Sequence, residues 1–451
     1  FPIVKDAVSI PVIGNGDIKT PEDILKFIEN AKTPFHAVMG LEEKLIEAGF
    51  VKLLESKSWD IALGGKYYVC KNDSSIIAFT VPTDLSDLSI NIAASHTDSP
   101  TFKVKPNHTV ETAAKTLGMH LETYGGTIYS SWLDRPLSVA GRVILKEGNK
   151  FVTKLVDVKR PLCVIPNVAI HQNRSINDGY KYNPAVDMVA LYGSKNGMKL
   201  NEIIAKECGL DLEKVASMEL YIYNFERGFL FGADNEFIGA PQIDNLECAY
   251  LSLLALLNSS NNRSINLYAS FDNEEVGIGS KQGALSTFLL DVLQRVYASL
   301  SLTSEDLKVS IAKSMMVSCD NAHATHPNQP SLCDPLNRVY MNEGIVIKTN
   351  ANLSYTTDAI SFAIFSSILN ESNVKWQVFA NRSDTRGGST LGHLSLSQVS
   401  LDSIDIGLAQ LAMHSSSEVA GVADMKMMVE GLTAYYNKHF TKDSENNFVI
   451  E

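Results

Sequence analysis

Apolar residues recur at intervals of three and four through "TPEDILKFIENA" and "HAVMGLEEKLIEAGF", which predicts two helices, the first opened by Thr20 or Pro21. "KYYVCKNDSSIIAFTV" then sets two β-rich runs around Asn72-Asp73-Ser74-Ser75, the chemistry of a hairpin. In "LSINIAAS" the positions Leu88, Ile90, Ile92 and Ala94 alternate, predicting a strand that runs straight into His96. From about residue 100 to 236 the pattern changes. Short β-like runs ("GRVILKEG", "KFVTKLVDV") are broken by Gly, Pro and Asn, and only "NEIIAKECG" and "DLEKVASME" read as helical. From "GAPQIDNLECAYLSLLALLN" onward, β-runs and helices alternate again through "SINLYASF", "ALSTFLLDVLQRVYASL", "KVSIAKSMMVSC", "AISFAIFSSILN", "WQVFA" and "SIDIGLAQLAMH". The end of that last string, with His414, carries helical spacing.

Alternation of this kind implies an α/β fold with a largely parallel sheet flanked by helices. The economical architecture is one α/β domain, residues 1–99 plus 237–451, interrupted by a β-rich insertion over 100–236. A chain of 451 residues is long enough for two cores. Its 45% hydrophobic and 20% charged content is that of a soluble globular protein. The net charge of −12 argues against nucleic acid or an anionic membrane as partner, and no apolar run approaches the roughly 20 residues that span a bilayer. The opening "FPIVKDAVSIPVIGNGDIKT" lacks the charged-then-apolar layout of a signal peptide. It also lacks an initiating Met, which leaves room for residues upstream of Phe1. Six cysteines without CxxC spacing read as reduced, buried thiols of a cytoplasmic protein rather than a metal site.

The candidate chemistry sits where β-runs end. "INIAASHTD" ends in His96 and Asp98, "NLYASFDNEE" in Glu274 and Glu275, and "SMMVSCDNAH" in Asp320 and His323. The carboxyl ends of strands form the ligand crevice of open α/β sheets. Taken singly, Asp244 reads as a helix N-cap, His96 and His414 as core histidines, and Asp98 as the start of a turn. The paired glutamates are harder to set aside, because two adjacent carboxylates repel and desolvate at a cost unless a cation is near. Together these residues fit a zinc pair, since zinc accepts imidazole and carboxylate and leaves a position for water. Two ions about 3.5–4 Å apart suit amide hydrolysis. For both glutamates to reach such a site the backbone must bend, and the glycines of "EEVGIGS" permit it.

"SHTDSP", "GAPQIDNL", "FDNEEVGIGSKQGA", "SCDNAHATHPN", "NRSDTRGGSTLG" and "LAMHS" occur in this order and closely resemble the aspartyl aminopeptidase and vacuolar aminopeptidase I family of dinuclear zinc peptidases. The likeness runs from "TPFHAV" to the C-terminal helix. The resemblance implies His96 and Asp320 as terminal ligands of one zinc and Glu275 and His414 as those of the other. Asp244 then bridges both ions, Glu274 serves as general base, and Asp98 orients His96. It implies a cis peptide at Asp244–Asn245, and His323 as a histidine that contacts substrate or oxyanion. His171, inside the insertion, would reach the active site of a partner subunit. His36, His108, His120, His326, His393 and His439 stay structural.

The activity implied is removal of single N-terminal residues from peptides, with acidic Asp or Glu selected by Lys348 and Tyr355. Relatives that prefer neutral residues such as Leu, and small-molecule deacylases of similar two-metal design, are the alternatives; a non-catalytic relative would have lost the ligand set. Arg386 adds a second cation beside the expected substrate loop. The resemblance further implies two zinc ions per chain, with cobalt or manganese as substitutes. It implies a homo-oligomer, a dodecamer of dimers joined through the insertion as a dimerisation domain.

Overall fold

The computed structural model describes residues 20–451 apart from Ile278, Arg386 and Asn446. The opening segment and Arg386 therefore lie outside the described residues. Among these, the main sheet has nine strands in the order Val51–Leu53, Lys66–Lys71, Ser75–Thr80, Ser264–Phe271, Ser89–His96, Met315–Cys319, Asp402–Gly407, Ile345–Thr349 and Trp376–Ala380. Its four central strands, Ser264–Phe271, Ser89–His96, Met315–Cys319 and Asp402–Gly407, run parallel. The flanking strands include antiparallel pairs, so the sheet is mixed.

Alternation along the central strands feeds two cores, one on each face. Ile90, Ile92 and Ala94 join Ile265, Leu267 and Phe271 beneath the helices Phe288–Ser299 and Ser304–Lys313. Ala93, Tyr268, Val317 and Cys319 point the other way, toward Pro21–Asn30, Pro34–Glu47, Ile243–Asn258, Ala359–Glu371 and Val422–Tyr436. Thr20 is the N-cap of the first helix, with Pro21 in its opening turn. The hairpin at Asn72-Asp73 turns through two left-handed residues, with φ of 58° and 54°, which Asn and Asp tolerate.

A separate antiparallel sheet of six strands takes its residues from Thr101 to Asn224. It has its own core, built on Phe102, Trp132, Leu137, Val139 and Ile222 among others. Phe229–Phe231 pairs instead with Phe237–Ala240 in a third sheet that also contains Glu418–Gly421, Ala409–Leu411 and Ala322–His323. Two local expectations fail. "DLEKVASME" is helical only over Leu212–Lys214, then becomes the strand Val215–Asn224, where nine residues of backbone pairing with Leu137–Leu145 outweigh local propensity. "LAQLAMH" is not a helix. Ala409–Leu411 and Glu418–Gly421 pair antiparallel, and His414 lies in the loop between them with φ of 69°. All six cysteines are free, but only Cys163, Cys248 and Cys319 are buried; Cys70, Cys208 and Cys333 are half-buried, against the expectation of six buried thiols.

Candidate metal centre

Parallel neighbours in register bring distant residues to one sheet edge. Phe271 lies opposite His96, and Ser318 opposite Ala94, so the chain after Phe271, His96 and Cys319 emerges at a common rim. The glutamate pair does not sit on the strand itself. After Phe271 the backbone turns through Asn273 (φ 66°) into a short 3-10 turn, Glu274–Val276, closed by Gly277 (φ 60°). The bend thus relies on an asparagine as well as a glycine. Asp244 enters from the start of the helix Ile243–Asn258, where Asp244 and Asn245 depart from helical geometry and the peptide between them is cis.

The resulting cluster is tight. His96 Nε2 lies 3.5 Å from Asp244 Oδ1 and 3.4 Å from Asp320 Oδ1. His414 Nε2 lies 3.4 Å from both Asp244 Oδ2 and Glu275 Oε2. Asp244 therefore turns one oxygen to each histidine. Among the described residues three triads offer ligand atoms mutually within 4.8 Å: His96, Asp244 and Asp320; His96, Glu274 and Glu275; Asp244, Glu275 and His414. Each imidazole is aimed by a bond from its far nitrogen. His96 Nδ1–H donates to the Asp98 carbonyl at 3.0 Å, and His414 Nδ1–H to the Gly126 carbonyl at 3.2 Å.

The Asp98 carboxylate holds more than His96, which it approaches at 3.4 Å. It accepts the backbone N–H of Glu274 at 3.2 Å, that of Glu275 at 3.1 Å, and the Tyr124 hydroxyl at 2.7 Å. Glu418, fully buried, accepts the N–H of Asp244 at 2.9 Å and of His414 at 2.6 Å. Glu418, Tyr124 and Gly126 escape sequence reasoning. The available signals are slight: a glutamate opening the short run "EVAG", and a Gly pair after a β-run, which marks close backbone approach.

The residues fit a bound cation pair on their own chemistry. Asp244 Oδ1 and Glu275 Oε1 are buried with no hydrogen-bond donor, a state that a metal ion would relieve. Burial first, and then the neighbouring carboxylates, raise the Glu274 carboxyl to about 8 and lift that of Glu275 well above the usual range. Burial opposes charge on His96, yet Asp244, Asp320 and Asp98 hold its pKa well above the ordinary value. Imidazole and carboxylate donors with an open side suit a catalytic zinc.

Lys348 adjoins the cluster, with Nζ 3.2 Å from the Asn321 carbonyl and 3.4 Å from Asp320 Oδ2. Its ammonium lies 5.2 Å over the Tyr355 ring. His323 is exposed at the end of its two-residue strand, its ring 6.3 Å from Phe379, which stands 6.3 Å from Tyr355. His171 is exposed in the loop 166–183 and hydrogen-bonds to none of these residues among those described. His36 bonds Thr33 and His439 bonds Ser264, both buried away from the cluster's hydrogen bonds; His393 is exposed on the helix Leu391–Leu396.

Residues 27–436 match the family model of the aminopeptidase I zinc metalloproteases, M18. A probable M18 family aminopeptidase 2 of Clostridium acetobutylicum is 40% identical over 93% of this chain and 99% of its own. The aspartyl aminopeptidase of Caenorhabditis elegans is 35% identical over 93% of this chain and 95% of its own. Among solved structures, that of the Ape4 and Nbr1 complex superposes with a TM-score of 0.89 at 35% identity, covering 92% of this chain and 85% of the other. The S. cerevisiae mApe1 dodecamer gives a TM-score of 0.81 at 25% identity, over 92% and 95% of the two chains. The nine-stranded sheet, the histidine–carboxylate cluster on its rim and these matches lead to one conclusion: the chain belongs to the M18 family of zinc aminopeptidases, hydrolases of the exopeptidase class.

Proposed function

We propose that the protein removes single acidic residues, Asp or Glu, from peptide N-termini using two zinc ions per chain. The observation that carries the two-ion reading is Asp244, with one carboxylate oxygen toward each histidine. In this reading His96 and Asp320 hold one ion, Glu275 and His414 the other, and Asp244 both. When bound, the pair would lower the pKa of a shared water and polarise the scissile carbonyl. Glu274 takes the proton of the attacking water on its carboxylate and returns it to the leaving amine. Asp98 keeps Glu274 in place through its backbone N–H and orients His96. His323, open to the crevice, contacts substrate or the developing oxyanion.

Acidic preference rests on the buried ammonium of Lys348 beside Tyr355, and on the name of the nematode relative. A neutral, Leu-type preference is the second reading, favoured because Lys348 already faces Asp320. Residues 100–236 form the inserted dimerisation domain in this scheme, supported by the separate sheet and core of that region. His171 would reach a partner's site from there. A homo-oligomer, specifically a dodecamer of dimers, is supported by the dodecameric yeast neighbour. A cytoplasmic location is supported by six unpaired cysteines, and no helix of the described residues is long and apolar enough to cross a membrane. Assays with Asp-, Glu- and Leu-anilides beside N-acylated amino acids test the reading. Faster turnover of the Asp- or Glu-anilide than of the Leu-anilide supports it; a Leu-anilide hydrolysed fastest replaces acidic with neutral preference, and cleavage of acylated substrates alone overturns it.

A further inference from the structure

The strand Thr116–Tyr124 belongs to the inserted six-stranded sheet, yet its last residue and the two glycines beyond it lie against the metal cluster. The Tyr124 hydroxyl donates to Asp98 Oδ2 at 2.7 Å and accepts from Asn273 Nδ2 at 3.0 Å. Two residues on, the Gly126 carbonyl accepts His414 Nδ1–H at 3.2 Å, and Ile128 N–H donates to the His414 carbonyl at 3.1 Å. Thr127 Oγ1 donates back to the Tyr124 carbonyl at 3.2 Å, which closes the turn. Side chains here would press on the cluster. A Cβ on Gly126 would stand 3.0 Å from His414 Nδ1, and one on Gly125, itself left-handed at φ 72°, 3.2 Å from Glu275 Cβ.

We infer that Tyr124–Gly126 is a strap by which the inserted sheet positions the metal centre, a role that rests on reading His96 and His414 as ligands. The Gly126 carbonyl keeps the proton on His414 Nδ1 and so presents Nε2 to Asp244 and Glu275. The Tyr124 hydroxyl fixes Asp98, and through it His96 and the turn that carries Glu274 and Glu275. A carbonyl or carboxylate on the outer nitrogen sets both tautomer and ring direction of a ligating histidine. The two ends of the strap therefore serve the two ends of the cluster. Neither residue touches substrate in this scheme; both act through others.

Chelator-stripped protein titrated with zinc against a fluorescent indicator tests the strap without any turnover assay. Wild type should take up zinc in two steps, and His414→Ala identifies the step that depends on that histidine. Gly126→Ala adds one methyl at a position whose backbone is not left-handed, so the collision falls on the imidazole. It should weaken the His414 step by about 10- to 100-fold and leave the other unchanged. Tyr124→Phe, which loosens Asp98 and with it both His96 and the turn of Glu275, should weaken the His96 step most and the other less, and decides the matter alone if Gly126→Ala does not fold. Two unchanged steps in both variants, or an equal loss of both steps in each with a lowered apo melting temperature, would overturn the strap while leaving the centre intact. A wild-type chain that takes up no zinc would overturn the centre and the strap together.

Discussion

Lys348 Nζ stands 3.4 Å from Asp320 Oδ2, and the lysine is 2% exposed. Burial works against its charge, but Asp320 first and then the Tyr355 phenol hold its pKa above the ordinary value. Replacing it with methionine leaves the buried Asp320 carboxylate with His96 as its one remaining cationic partner among the described residues, so the metal-free protein should lose stability, by no more than about 3–5 kcal/mol. If Lys348 also reads the substrate's acidic side chain, kcat/KM for an Asp-anilide should fall about 10- to 100-fold further than for a Leu-anilide, the worth of one charge-assisted hydrogen bond. An unchanged ratio assigns the lysine to Asp320 alone.

Glu274→Gln should lower kcat by about 10²- to 10⁴-fold, the scale of general acid–base catalysis, while zinc content by elemental analysis stays at the wild-type level. Turnover within a few-fold of wild type would remove Glu274 as the base.

Glu418 accepts two backbone N–H groups, one on each of two proposed ligands. In Glu418→Leu both donors are left buried and unmet, at about 1–3 kcal/mol each. Equilibrium dialysis should show weaker zinc retention in Glu418→Leu, with Glu418→Gln intermediate because its amide oxygen still accepts.

Zinc binding should release protons at pH 7. Without metal, burial and neighbouring carboxylates place the Glu274 carboxyl at about 8 and that of Glu275 well above the usual range, and His96 is also raised. Glu275 and His96, as proposed ligands, hold their protons to higher pH than free side chains and must give them up to bind a metal ion. Titration calorimetry in buffers of different ionisation enthalpy measures the release, which should shrink as pH rises. Zinc affinity should accordingly rise with pH.

His36 is buried beside Thr33, and burial pushes its pKa down to about 4. An unfolded histidine takes up its proton near 6.5, so the unfolded chain binds more protons between these values. Stability should fall as pH drops from about 6.5 toward 4, by up to about 3 kcal/mol from this group. Urea melts of wild type and His36→Gln should diverge in slope over that window and run parallel above it.

Much of the centre was legible because its chemistry follows β-runs directly. His96 ends the strand Ser89–His96, Asp320 directly follows the strand Met315–Cys319, and the glutamate pair begins three positions after Phe271, so residue type and local pattern point to them. His414 was legible as a candidate ligand through its string but not as to its setting. A short apolar run has no unambiguous period, and pairing with Glu418–Gly421 decided for strand and loop. Glu418, Tyr124 and Gly126 act across separations of 4 to 288 residues, by bonds to backbone or to another side chain. Contacts of that kind leave no local signature. Asp98 shows the same limit: its tie to His96 is local, its grip on the glutamate turn spans 176 and 177 residues.

The order of the parallel strands also constrains how the protein comes to be made. Ser89–His96 pairs with Ser264–Phe271 on one side and Met315–Cys319 on the other, and His414 and Glu418 follow later still. A nascent chain halted on the ribosome before residue 414 would hold most of the carboxylates yet lack the histidine and glutamate that complete the rim. Such a chain should lack the second proposed ion site, so hydrolytic power would wait on the late strand pair Ala409–Leu411 and Glu418–Gly421.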